Sequence, residues 1–362
     1  MLRDVEEKVR SGGRLSFEDG VRLFRSDDLH GLGRLADLVR ERKNGNRATY
    51  IRNVHLNYSN VCALDCDFCG YSRRAGQEGA WEMTLPEVFD YAARAGAEGL
   101  DEVHIVGGVH PTLPFEYYLG MLRGLRERFP RLHLKAFTAT EIDRFTRLAG
   151  KGVEEVLGEL RAAGLDSLPG GGAEVFSDRV WDRVCPSKTR PERWLEVHRT
   201  WHRMGGRSTC TMLYGHIETV EERVDHLLRL RALQDETGGF TAFIPLAFQA
   251  GNNRLSSLPP PTAQTDLRVH AVARLLLDNV DHIKAYWVMT GLKMAQILLS
   301  FGADDLDGTV VEERVVHMAG ADSPPGVSEN DLRILIREAG REPVRRDSLY
   351  RSLEGVNEIA SR

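Results

Sequence analysis

No stretch of this chain approaches the roughly 18 consecutive apolar residues that a membrane-spanning helix needs. No basic block is present either, and the net charge is −5, so the composition gives no reason to expect a nucleic-acid partner. Cysteines number five in 362 residues, too few and too unevenly spread for a disulfide framework. The opening MLRDVEEKVRSGG is charged and amphipathic and lacks the apolar core of a signal peptide, so a reducing, cytoplasmic setting is expected. Internal repeats, low-complexity tracts and obvious linkers are also missing. What remains is an ordinary globular balance, 42% hydrophobic and 28% charged, in a chain long enough for a large core.

The hydrophobic periodicity divides the chain. Residues 1–48 carry apolar positions at helical spacing, and Ser16 with Asp19 forms a capping pattern ahead of GVRLF. From residue 49 short strand patterns alternate with long helical ones. The strands are YIRNVHLNY, DEVHIVGG, LHLKAFTA, LDSLPG, STCTMLYG, FTAFIPLAF, HIKAYWV and, as a possible eighth, DGTVVEERVV. One long helix is expected over RFTRLAGKGVEEVLGELRAAG. Eight strand–helix units over about 270 residues suit an α/β fold of the (β/α)8 TIM-barrel type. An open doubly wound sheet is the other parallel architecture, but no G-x-G-x-x-G follows the first strand. The expected organisation is an N-terminal helical extension (1–48), a barrel (49–329) and a C-terminal helical extension (330–362).

Barrel chemistry sits at the C-terminal ends of the strands. Directly after the first strand comes NVCALDCDFCGYS, with Cys62, Cys66 and Cys69 spaced C-x3-C-x2-C. Three thiolates on one tight loop suit an iron–sulfur cube that leaves one iron open. A zinc site completed by a distant histidine, or incidental buried thiols, are the other readings of the triplet. Cys185 and Cys210 read as ordinary buried thiols.

The triplet after a first barrel strand, with aromatic Phe68 before the third cysteine, resembles the radical S-adenosylmethionine (SAM) superfamily. The resemblance implies a [4Fe–4S] cluster on Cys62, Cys66 and Cys69, whose free iron chelates SAM and whose electron cleaves it. It also implies SAM contacts at Tyr71 (adenine), at Gly107 and Gly108 in IVGGVHP, at Glu174 in LPGGGAEVF and at Arg193 (carboxylate). Val109 stands where the superfamily often has a glutamate. A plain strand-end turn at the glycines and a surface ion pair at Arg193 are the structural alternatives.

Further stretches, among them HLKAFTATEI, CPSK, TMLYGHIET, NVDHIKAYW and REPVRRDSLY, resemble the aminodeoxyfutalosine synthase family of the futalosine route to menaquinone, from about residue 50 to 350. That resemblance implies a small aromatic dicarboxylate substrate and an electron donor such as flavodoxin or ferredoxin. The related cyclic dehypoxanthine futalosine synthases and deazaflavin (F0) synthases are the alternatives, and an iron–sulfur electron carrier is the non-enzyme reading. Strand-end candidates for the substrate are His110, Lys135, Thr138, Glu141, Tyr214, His216 and Glu218. His216 and Glu218, expected to share one strand face and to pair, are the catalytic candidates.

Overall fold

The computed structural model describes residues 3–353, so the expected C-terminal extension lies outside the described residues from 354 onward. The strands are β1 (Arg47–Ile51), β2 (Asn53–Leu56), β3 (Glu102–Ile105), β4 (His133–Ala136), β5 (Ser167–Leu168), β6 (Arg207–Tyr214), β7 (Phe240–Ala247), β8 (His282–Ile283), β9 (Asp305–Gly308) and β10 (Glu342–Arg345). β2 to β8 pair in sequence order, all parallel. A parallel bridge from Lys284 to Asp305 carries the ring on to β9, and β9 pairs with β1, which runs into β2. The strands therefore close into a TIM-type ring with helices outside. β10 lies beside β1 at the N-terminal end of the ring.

Local chemistry accounts for the helix starts. Ser16/Asp19, Thr84/Glu87, Thr138/Glu141, Thr219/Glu222 and Ser328/Asp331 all form reciprocal capping boxes, which satisfy N–H groups that a helix leaves open. The N-terminal helix Leu29–Asn44 packs along Ala263–Leu276, in the outer layer of the barrel. Four tryptophans, at 181, 194, 201 and 287, are fully buried packing residues.

Three expectations differ from the structure. The long helix is two, Ala139–Ala149 and Val153–Ala162, because Gly150 turns left-handed (φ 64°) and ends the first. HIKAYWV is strand only at His282–Ile283 and turns helical at Trp287–Thr290; a short apolar run reads alike as buried strand or buried helix. The eighth strand begins earlier than expected and stops at Gly308. Val310 (φ 41°) cannot continue an extended strand. The chain instead folds into a short helix, Val315–Met318, that lies on the cysteine loop: a Cβ on Gly70 would stand 2.7 Å from the Met318 carbonyl oxygen.

Candidate active site

A cavity of about 320 Å³ opens at the C-terminal ends of the strands and runs into the barrel. That is within the usual size range of small-molecule sites. Cys62, Cys66 and Cys69 line its mouth, on the loop that leaves β2. Backbone bonds pin this loop: Ala63 N–H to the Val109 carbonyl (2.8 Å) and Asp67 N–H to the Val184 carbonyl (2.7 Å). Ser187 adds a third tie, accepting the Asp65 N–H at 2.9 Å. Burial pushes the Cys66 thiol up to about 12, so a thiolate there needs a positive partner of its own. Cys185 and Cys210 are fully buried and do not line the cavity.

Gly107 and Gly108 end the β3 segment against the same loop. A Cβ on Gly107 would sit 2.5 Å from the Tyr58 ring, and one on Gly108 would sit 2.3 Å from the Val61 carbonyl oxygen. Only glycine permits that approach. Behind the turn lies Glu141, which accepts from Tyr58 Oη (2.7 Å), Thr138 N (2.7 Å) and Gly107 N (3.2 Å). Its burial outweighs these bonds and lifts its pKa to about 7. Tyr71 lines the mouth and donates its hydroxyl to the Ser59 carbonyl at 2.8 Å.

Glu174 lines the opposite wall with a left-handed backbone (φ 46°), a conformation non-glycine residues hold only where their surroundings enforce it. Its carboxylate is ion-paired with Lys188. The Lys188 ammonium also stands over the Phe68 ring, 5.5 Å from its centroid. Lys188, in the CPSK stretch, carries no sequence signal of its own and reaches the cavity only through tertiary folding. Arg193 does not line the cavity. Its guanidinium goes to Asp143 (2.9 Å) and Glu196 (2.8 Å).

His216 and Glu218 lie within 3.2 Å of each other, but β6 ends at Tyr214, so they meet on a loop and not through strand parity. Glu218 accepts the Gly215 and His216 N–H groups (2.5 and 2.9 Å), and His216 accepts the Ile217 N–H at 2.7 Å. Both brace this loop, away from the cavity wall. Tyr214 donates to Asp266 (2.8 Å), and His110 accepts two backbone N–H groups of its own turn. Lys135 and Thr138 do line the cavity.

The same architecture occurs in methylornithine synthase (TM-score 0.73, 16% identity, covering 94% of this chain and 97% of that one). The hydrogenase maturase HydG from Carboxydothermus hydrogenoformans also shares it (TM-score 0.71, 16% identity, 96% and 80% covered). A sequence profile of the radical SAM superfamily matches residues 56–230, and one of the CofH/MqnC C-terminal region matches 237–359. An aminodeoxyfutalosine synthase of Thermus thermophilus is 49% identical over 97% of this chain and 96% of its own length. One from Streptomyces coelicolor is 46% identical over 98% and 94%. A cyclic dehypoxanthine futalosine synthase of the same organism is 38% identical over 97% and 89%.

The chain belongs to the radical SAM superfamily. It is an enzyme that works with a [4Fe–4S] cluster and SAM. The donor set fits that radical SAM cluster: three half-buried thiols face one cavity, and no fourth cysteine lines it. Among the described residues no three His, Cys, Asp or Glu side chains close on a single ion. A cube spreads its thiolates over separate irons, whereas a zinc site draws them onto one. Among the described residues no helix is long and apolar enough to cross a membrane.

Proposed function

We propose that this enzyme joins the 5′-deoxyadenosyl group of SAM to the enol-ether double bond of 3-[(1-carboxyvinyl)oxy]benzoate. Rearrangement across the ring and loss of a carboxyl group then give 6-amino-6-deoxyfutalosine for menaquinone synthesis. The observation that carries this is end-to-end identity of 49% and 46% to two aminodeoxyfutalosine synthases. The bound cluster and SAM supply a 5′-deoxyadenosyl radical by one-electron cleavage. The chain's own part is to hold and shield. Cys62, Cys66 and Cys69 would hold three irons, and the Gly107–Gly108 backbone would approach the methionine end of SAM. Lys188, which lines the cavity as Arg193 does not, would hold the SAM carboxylate, with Glu174 beside it, and Tyr71 would face the adenine. Leu213, Phe248 and Val316 wall the mouth with apolar surface, which keeps water from the reacting carbons.

The cysteines also line a groove on the outer side of their loop, with Arg74, Arg254, Asp65 and Asp67 around it. We assign this groove to the electron donor, a flavodoxin or ferredoxin. Five unpaired thiols fit a cytoplasmic setting.

The test is anaerobic turnover of the reconstituted, reduced enzyme with SAM and 3-[(1-carboxyvinyl)oxy]benzoate, read by mass spectrometry. Adenosyl carbon in aminodeoxyfutalosine is the expected result. SAM cleaved only to free 5′-deoxyadenosine would overturn this assignment and point to the substrate of a related enzyme, such as a cyclic dehypoxanthine futalosine synthase.

A further inference from the structure

The inner end of the cavity carries polar side chains that the SAM reading leaves unused. β2, β3 and β4 place His55, His104 and Lys135 side by side in register. Lys284 joins them at the end of β8. All four line the cavity. His104 precedes Gly107 by three residues, so the group sits about 10 Å along the strands below the glycine turn.

Two features mark this end as built for a ligand. His55 is 5% exposed, faces the cavity and has an Nε2 with no hydrogen-bond partner. Buried polar atoms left unpaired are costly, and a ligand removes that cost. The two ammoniums, moreover, are anchored by carboxylates, one of which, Asp307, itself lines the cavity. Lys135 stands 2.6 Å from Glu102, and Lys284 pairs with Asp307 and lies 3.9 Å from Asp305, which Arg346 also holds. An ammonium has three donors, so each lysine keeps N–H groups for the cavity.

We propose that this inner end binds the ring carboxylate of an aryl substrate, through Lys135, Lys284 and the imidazoles of His55 and His104. The assignment rests on the proposed reaction for its orientation. The double bond that takes the adenosyl group must lie near the cluster, and its own carboxylate stays with it. The benzoate carboxylate is then the group that reaches farthest in. Ile244, Leu246, Tyr286 and Met289 supply an apolar sleeve for the ring between the two ends. Around the inner end three cations (Lys135, Lys284, Arg346) face three carboxylates (Glu102, Asp305, Asp307). An arriving carboxylate adds one negative charge, which a proton on His55 or His104 balances. Until then burial keeps both imidazoles neutral, His55 at about 4 and His104 well below the ordinary value.

The experiment uses the cluster-loaded enzyme with SAM, titrated with 3-methoxybenzoate and with its neutral isostere 3-methoxybenzamide, by calorimetry in two buffers. The wild type is expected to prefer the benzoate by about tenfold or more, as for hydrogen bonds to a charged group, and to take up about one proton on binding it. His104→Phe should cut that preference to below about threefold while leaving the amide's affinity and the melting temperature nearly unchanged. The pairwise Lys135→Met, Glu102→Gln variant, which removes both charges together, should do the same without stranding a buried carboxylate. Equal affinity of the wild type for the two probes, or variants that weaken both probes alike, overturns the assignment. Turnover separates it from the proposed reaction. A benzoate preference without adenosylation of 3-[(1-carboxyvinyl)oxy]benzoate keeps this site and sinks that reaction; adenosylation without the preference does the reverse.

Discussion

The two ends of the cavity are built by different means. At the mouth the functional groups stand on loops: three cysteines within eight residues, a pair of glycines under the cysteine loop, and Glu174 at φ 46°. At the inner end they stand on strands, held by buried ion pairs between residues far apart in the chain, such as Lys284 with Asp307 and Arg346 with Asp305. The mouth spends conformational freedom to present ligands. The inner end uses charge pairing to keep polar groups inside a barrel whose interior is otherwise packed with side chains. Damage at the mouth should therefore show in chemistry, and loss of one partner of an inner ion pair in stability first.

The largest contrast comes from the thiols. Cys62→Ala, Cys66→Ala or Cys69→Ala is expected to abolish SAM cleavage while the circular dichroism spectrum and melting curve stay close to wild type. Full turnover by any of the three after reconstitution would remove the cluster from this loop. Next is Lys284→Met, which strands Asp307 in the interior and should cost about 3–5 kcal/mol in urea unfolding. A loss under about 1 kcal/mol would mean that the inner ion pairs do not hold the barrel.

A smaller effect separates the ends by pH. The folded pKa of Glu141, raised by burial to about 7, lies above its ordinary 4.5. Stability from the neutral carboxyl is complete below the unfolded value and is lost as pH rises from 4.5 to about 7. Glu141→Gln, neutral at every pH, should flatten that fall relative to wild type; parallel stability–pH curves would show that Glu141 is ionised throughout. The smallest effects concern SAM binding. Lys188→Ala or Glu174→Gln should weaken SAM by about tenfold, the scale of one charged hydrogen bond, and Arg193→Ala should leave its dissociation constant within about twofold. The opposite ranking would return the SAM carboxylate to Arg193.

Much of the mouth was legible because its signals are local. A cysteine spacing, a Gly-Gly pair after a strand and an acidic residue in a glycine-rich loop are each contained in a few consecutive residues. Strand–helix alternation is equally local, and it carried the barrel. Where reading failed, the deciding contact was distant. YGHIE looks like continuing strand, yet the backbone turns at Gly215 (φ 91°) and draws His216 and Glu218 into bracing the loop. Arg193 reads equally as a SAM contact or an ion-pair partner until Asp143, fifty residues away, claims it.

The amino-acid pattern by itself determined the barrel, the family and the cysteine triplet proposed to hold the cluster, since periodicity and motif spacing survive without knowing what packs where. Only the tertiary structure decided which charged side chains are partnered and which keep donors free. Lys284, His55 and His104 are unremarked in a linear reading, and Lys135 is there one strand-end candidate among seven, because strand register alone brings the four to one end of one cavity, and the burial that makes them consequential is a property of the closed ring.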